Sequence, residues 1–272
     1  MLKSVNQWCF PANTSLETVL EVTRKAGFDA IELNLYEAGG IGLTADMGKE
    51  EVQEIGRLVA SYGLQLRSLS TSLLWKSPLS SPDEKTRAAG RAVVEKQLQF
   101  ANWLEVDTVL VVPGVVTPEV NYAECYERSQ QELVKLAERA EHYGVKIGVE
   151  NVWNKFLLSP LEMARYVDEL NSPYIGVYFD VGNVLLYAFP EQWIRILGSR
   201  IFKVHVKDFK PGVGTGQGFV PLLAGDVNWQ AVKSALTEIG YSDTITAELS
   251  PYAADPYQLI YDTSRHMDVI IG

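Results

Sequence analysis

Four apolar runs in this chain end in residues that bind metals or move protons. VKIGVEN (Val145–Asn151) delivers Glu150 and IGVYFD (Ile175–Asp180) delivers Asp180. FKVHVKD (Phe202–Asp208) carries His205, and TITAEL (Thr244–Leu249) carries Glu248. A carboxylate where an apolar strand meets its loop is costly to desolvate unless it is paired or bound to a cation. Two glutamates, one aspartate and one imidazole form an oxygen-rich donor set for one divalent ion. That set suits Mn²⁺, Mg²⁺ or Co²⁺, and Zn²⁺ less exclusively, with Mn²⁺ the leading expectation. One such residue alone would read as a paired polar group of the core. Four at matching positions favour a metal centre. The other histidines, His142 and His266, fall in helical sequence and read as surface residues.

The elements that must position these groups alternate along the chain. Strands are expected at Leu2–Cys9, Phe28–Leu35, Leu64–Ser70, Asp107–Val112, Val145–Glu150, Tyr174–Asp180, Ile201–Val206 and Asp243–Leu249. Helical sequence follows each one. Ser81-Pro82-Asp83-Glu84 reads as a helix start with Ser81 as N-cap, and Ser159-Pro160-Leu161-Glu162 repeats the pattern. Another helix is expected over Glu119–Tyr143, closed by Gly144. No linker or composition break interrupts the series. Eight strand–helix units over 272 residues predict one α/β domain, residues 1–272, folded as a (β/α)8 barrel, the TIM barrel. An open doubly wound sheet would carry a glycine-rich phosphate turn after its first strand, and Cys9-Phe10-Pro11-Ala12-Asn13 is not one.

Strand alternation places the four groups on one face. If Glu150, Asp180, His205 and Glu248 point inward, so do Gly148, Gly176, Tyr178, Lys203, Thr244 and Thr246. The residues between them, Phe202 among them, then pack on the outer helices. The ligand candidates share the C-terminal mouth of the barrel, where this fold carries its chemistry.

Composition narrows the partners. A net charge of −10 and a pI near 4.9 argue against binding a phosphate backbone, so no nucleic acid is expected. Two cysteines give no disulfide framework, no secretory signal is evident and no apolar run approaches membrane-spanning length. The chain reads as soluble and cytoplasmic.

At these residues the chain resembles the xylose isomerase-like barrels. It is most similar to the sugar and sugar-phosphate 3-epimerases typified by D-tagatose 3-epimerase and L-xylulose-5-phosphate 3-epimerase. VKIGVEN, YFDVGN, HVKDFKPGV and TAEL carry the resemblance in order. It implies an isomerase that binds one divalent metal through Glu150, Asp180, His205 and Glu248. It also implies that Glu150 and Glu248 act as acid and base on opposite faces of a sugar or sugar phosphate, and that the chain forms a homodimer or homotetramer. Asn183 stands where the free-ketose enzymes carry a substrate-binding histidine, and DVGN is more similar to the sugar-phosphate branch. Asn154-Lys155-Phe156 resembles their Asn-Arg-Phe, with Leu157 in place of the glutamate that follows. Dehydratases of the same barrel and a non-catalytic sugar-binding barrel remain alternatives. A three-zinc endonuclease needs more histidines than the three present.

The remaining candidates are substrate contacts or supports. Glu32 ends the second strand pointing inward, either to orient a substrate or a metal ligand or as a satisfied structural carboxylate. Lys207 and Asp208 follow His205 and are expected to support the site. Trp8 and Trp75 are candidate walls of a sugar pocket. Asn154, Lys155 and Asn183 complete the expected substrate set. The loop Lys210–Gly218, with four glycines, reads as a mobile lid, with phosphate binding through Lys155 and Lys210 as the alternative.

Overall fold

The computed structural model describes residues 1–272. Its parallel strands are β1 (Leu2–Asn6), β2 (Ala30–Tyr36), β3 (Gln65–Ser70), β4 (Thr108–Val111), β5 (Lys146–Glu150), β6 (Ile175–Asp180), β7 (Ile201–Val206) and β8 (Thr244–Ala247). Each pairs with its neighbour in sequence, and β1 pairs with both β2 and β8, so the sheet closes into a barrel. The helices are α1 (Leu16–Lys25), α2 (Lys49–Ser61), α3 (Glu84–Trp103), α4 (Tyr122–Tyr143), α5 (Pro160–Glu169), α6 (Pro190–Leu197), α7 (Trp229–Glu238) and α8 (Gln258–Ile271). This is a single-domain TIM barrel. One continuous apolar core joins the outer strand faces to the helices.

Local chemistry moves several boundaries. β1 stops at Asn6 because the Asn6 side chain accepts from the Trp8 N–H at 2.7 Å and starts a short 3-10 turn. α3 is capped by Asp83 and not by Ser81. The Asp83 carboxylate accepts from the N–H groups of both Lys85 and Thr86, while Glu84 turns to Arg87 and Arg91. α4 begins at Tyr122, where Asn121 and Glu124 form a reciprocal cap, and Gly144 ends it at φ 66°. α5 starts as expected, with Ser159 accepting from Glu162 N–H and Pro160 in the first turn. The loop after β7 is partly ordered as an antiparallel hairpin, with Asp208–Phe209 paired to Phe219–Val220.

The interior alternation holds at Tyr178, whose hydroxyl crosses the barrel to Glu32, and at Lys203, whose ammonium reaches Asp107 and Asp243, and Thr244 and Thr246 are buried too. Phe202 departs from it. A bulge in the β6–β7 register pairs Val177 with Ile201 and Tyr178 with Lys203. The extra residue, Phe202, turns inward. Its ring lies 2.5 Å from where a Cβ on Gly176 would stand, and 4.8 Å from the Lys146 ammonium.

Lys203 closes the floor of the barrel. Its ammonium is buried and pairs with Asp243 at 2.7 Å and Asp107 at 3.0 Å. Burial pushes the Asp243 carboxyl up, but Lys203, Arg67 and the Thr244 N–H outweigh it and hold it below its ordinary value. Lys203→Met is expected to cost about 2 kcal/mol, less than a fully buried pair because Asp107 is half exposed. A carboxyl with a lowered folded value contributes stability above its unfolded value, near 3.8, and loses it as pH falls through the folded value. Urea denaturation should therefore show the wild-type advantage at pH 7 shrinking below about pH 4.

Candidate active site

Glu150 is the last residue of β5, Asp180 the last of β6, His205 sits one residue before the end of β7, and Glu248 follows β8 directly. Register aligns Asp180 with His205 and His205 with Thr246. One ligand atom from each of the four lies within 4.8 Å of the others. Ligands held about 2.1 Å from one ion stand up to about 4.2 Å apart, so the cluster needs only a small contraction. Two buried atoms of the cluster lack a well-formed hydrogen bond: His205 Nδ1, and Asp180 Oδ2, whose one close partner is the Lys207 ammonium at 3.1 Å. Buried polar atoms rarely stay unpaired, and the free lone pair of His205 Nδ1 is one a metal would use.

Glu32 sets the histidine. It is fully buried, and its carboxylate meets His205 Nε2 at 2.6 Å. It also accepts from Asn6 Nδ2 at 2.5 Å, Ser70 Oγ at 2.7 Å, and the hydroxyls of Ser68 and Tyr178. A proton on Nε2 leaves the Nδ1 lone pair for the centre, the carboxylate–histidine–metal arrangement of many metal sites. Burial pushes Glu32 up, but the His205 charge and hydrogen bonds from His205, Ser68 and Tyr178 bring it down to about 2. Burial pushes His205 down. The Glu32 charge and contacts with Glu150, Glu248 and Glu32 outweigh it and hold the imidazole well above its ordinary value. The surroundings attract a cation.

The two glutamates differ. Burial raises Glu150 to about 7, with the Glu248 charge adding to it against His205 and Lys207. Glu248 is also raised by burial, but Lys207 and His205 hold it well below the ordinary carboxylate range. The Lys207 ammonium lies 2.5 Å from Glu248 Oε2 and 3.1 Å from Asp180 Oδ2. Asp180 is fixed by its other atoms. The Asn151 side chain bridges its N–H and C=O at 2.8 Å each, and the Asn183 N–H donates to Oδ1 at 2.8 Å.

A cavity of about 320 Å³ opens beside the cluster, lined by Trp8, Lys207, Phe219, Glu248, Tyr252 and Leu259 among others. That is at the low end of ligand pockets and matches a small sugar. Five other residues expected at the site do not line this cavity. Asn154 donates to Gly114 C=O at 2.7 Å and accepts from Phe156 N–H, which ties its loop together. Asp208 accepts from the N–H groups of Phe209 and Val227 and from Trp229 Nε1, pinning the loop after β7. The Asn183 side-chain amide donates to Asn151 C=O at 3.0 Å, while its backbone N–H donates to Asp180. Trp75, 44% exposed, does not line the cavity. Lys155 is exposed at φ 60° and forms no ion pair. Glu32 lies within β2, not at its end, and its carboxylate contacts His205 in place of the cavity. Asn6, Ser68, Ser70, Tyr178 and Asn151 were not singled out from sequence, although parity already places Tyr178 inside.

The chain belongs to the xylose isomerase-like TIM barrel family, whose model matches residues 20–267. It is 27% identical over 239 residues to L-ribulose-5-phosphate 3-epimerase UlaE of Escherichia coli (strain SMS-3-5 / SECEC), covering 87% of this chain and 83% of that one. Among solved structures, an L-ribulose 3-epimerase superposes with TM-score 0.82 at 20% identity, over 99% of this chain and 94% of the other. The IOLI protein with a bound zinc atom superposes with TM-score 0.79 at 22% identity, over 100% and 98%. The chain is thus a 3-epimerase-like TIM barrel with a candidate metal site at Glu150, Asp180, His205 and Glu248. No helix is long and apolar enough to cross a membrane.

Proposed function

We propose that the protein is a divalent-metal-dependent 3-epimerase of a ketose or ketose phosphate. The observation that carries this reading is the convergence of Glu150, Asp180, His205 and Glu248 beside a sugar-sized cavity. The similarity to L-ribulose-5-phosphate 3-epimerase supports the same reaction class. These four residues would hold one ion, Mn²⁺ in this reading. When bound, it polarises the substrate carbonyl and stabilises negative charge developing on oxygen.

Epimerisation at C3 removes the proton beside the C2 carbonyl and returns one to the other face. One carboxylate takes the C3 proton, and the electron pair of that bond moves toward the carbonyl oxygen to give an enediolate. The opposite carboxylate then gives a proton back to C3. Glu150 comes from β5 and Glu248 directly follows β8, with β6 and β7 between them, an arrangement that supports giving each carboxylate one face. Trp8 and Phe219 wall the cavity and exclude water.

The test is conversion of ketoses and ketose 5-phosphates by manganese-loaded protein, followed by NMR. The expected result is one pair of C3 epimers reaching the same mixture from either side, and no conversion once a chelator is added. Metal-loaded protein that converts nothing across the panel would sink the reading. Growth of an enone absorbance would reassign the same proton abstraction to loss of water.

A further inference from the structure

We infer that Lys207 is an internal rival of the metal: its ammonium and a divalent ion compete for the same oxygens of Glu248 and Asp180. It thereby holds metal affinity below what the four ligands alone would give. This rests on the metal-centre reading above and assigns a role to a residue that is not itself a ligand. The Lys207 Nζ lies 2.5 Å from Glu248 Oε2 and 3.1 Å from Asp180 Oδ2. These are the two oxygens turned to the centre. Asp180 Oδ1 is engaged by the Asn183 N–H, and Oδ2 has no hydrogen bond. Glu248 Oε2 is the oxygen 3.4 Å from His205 Nδ1.

The position of this side chain is built into the sequence. Gly182 lies under its stem. A Cβ there would stand 2.4 Å from Lys207 Cγ and 2.5 Å from its carbonyl oxygen, so only glycine leaves the path open. The Phe219 ring holds the ammonium from the other side, with its centroid 5.4 Å from Nζ. Lys207 also lines the cavity, so an ammonium released from the carboxylates faces the substrate. Its flexible stem permits that exchange of partners.

The sign of the effect separates this role from ordinary support. Losing a residue that merely braces the ligands weakens metal binding. Losing a positive charge a few ångströms from a divalent ion strengthens it. Glu150, Asp180 and Glu248 also depend on Lys207 for counter-charge until an ion arrives.

The experiment is chelator competition starting from manganese-loaded protein, with released Mn²⁺ followed by EPR, for wild type, Lys207→Met and Lys207→Arg. Lys207→Met should keep its manganese at roughly tenfold or more higher chelator, the scale expected of one like charge at this range. Lys207→Arg should track wild type. The gap in Tm between loaded and chelated protein should widen in Lys207→Met. Release as easy as wild type, or easier, would overturn the assignment. If Lys207→Met does not fold, Lys207→Gln carries the same comparison. Wild type that holds no manganese defeats the metal-centre reading itself, and is recognised before any variant is compared.

Discussion

Glu248→Gln, loaded with manganese, loses conversion between C3 epimers by about a thousandfold or more, yet still exchanges the C3 proton of one epimer with solvent. Glu150→Gln behaves in the same way toward the other epimer. The expectation follows from the proposed assignment of one carboxylate to each face, the two coming from strands separated by β6 and β7. A glutamate that can take a proton can also return it to the same face, which gives exchange without inversion. Inversion needs both. General acid–base groups contribute about 10²–10⁴-fold, and each is required once per turnover. The amide keeps the shape and one oxygen for the metal, so manganese is supplied in excess and its content measured beside the rate. Glu150, raised to about 7 by burial, tolerates the neutral amide well in folding. Glu248 does not, because its charge pairs with Lys207. Equal loss of exchange in both epimers for both variants would contradict the division of faces.

Glu32→Ala has the second-largest expected effect, although this residue is not among the candidate ligands. It removes a fully buried carboxylate that meets His205 and accepts from Asn6, Ser68, Ser70 and Tyr178. The donors lose their acceptor in a site closed to water. Breaking a buried charged network in this way costs about 3–5 kcal/mol. In a chain of this size that lowers Tm by roughly 10 °C. The imidazole also loses the partner that keeps its proton on Nε2. Loss of such an outer partner typically lowers metal affinity or activity about 10–100-fold. Thermal unfolding with and without Mn²⁺, together with chelator competition, measures both. A variant with wild-type Tm and wild-type retention of metal would show that Glu32 neither braces the interior nor orients His205.

The four-residue cluster was legible because each member closes an apolar strand, and alternation along β5–β8 puts all four on one side. The closed barrel was legible for the same reason, from eight strand runs each followed by helix signals. The inward glutamate at position 32 could be seen, but its link to His205 spans 173 residues of sequence and becomes visible only when the barrel closes. The partners of loop polar groups were not legible: buried loop backbone needs partners, and the side chains of Asn154 and Asp208 supply them. Phe202 faces inward because one extra residue in the β6–β7 register reverses the alternation locally. At α3, a carboxylate that can accept from two N–H groups displaced a serine two residues earlier. Each of these outcomes depends on geometry across neighbouring segments, which spacing along one segment does not encode.

The most direct test of the central claim is where deuterium enters. Manganese-loaded protein is incubated in D₂O with a ketose or ketose phosphate that it converts, and the recovered sugar is read by NMR. The account predicts deuterium at C3 in both epimers, none at C1, and no incorporation after chelation. Deuterium at C1 with C3 untouched would mean aldose–ketose isomerisation. Conversion that continues at full rate without metal would contradict the role given to Glu150, Asp180, His205 and Glu248 together.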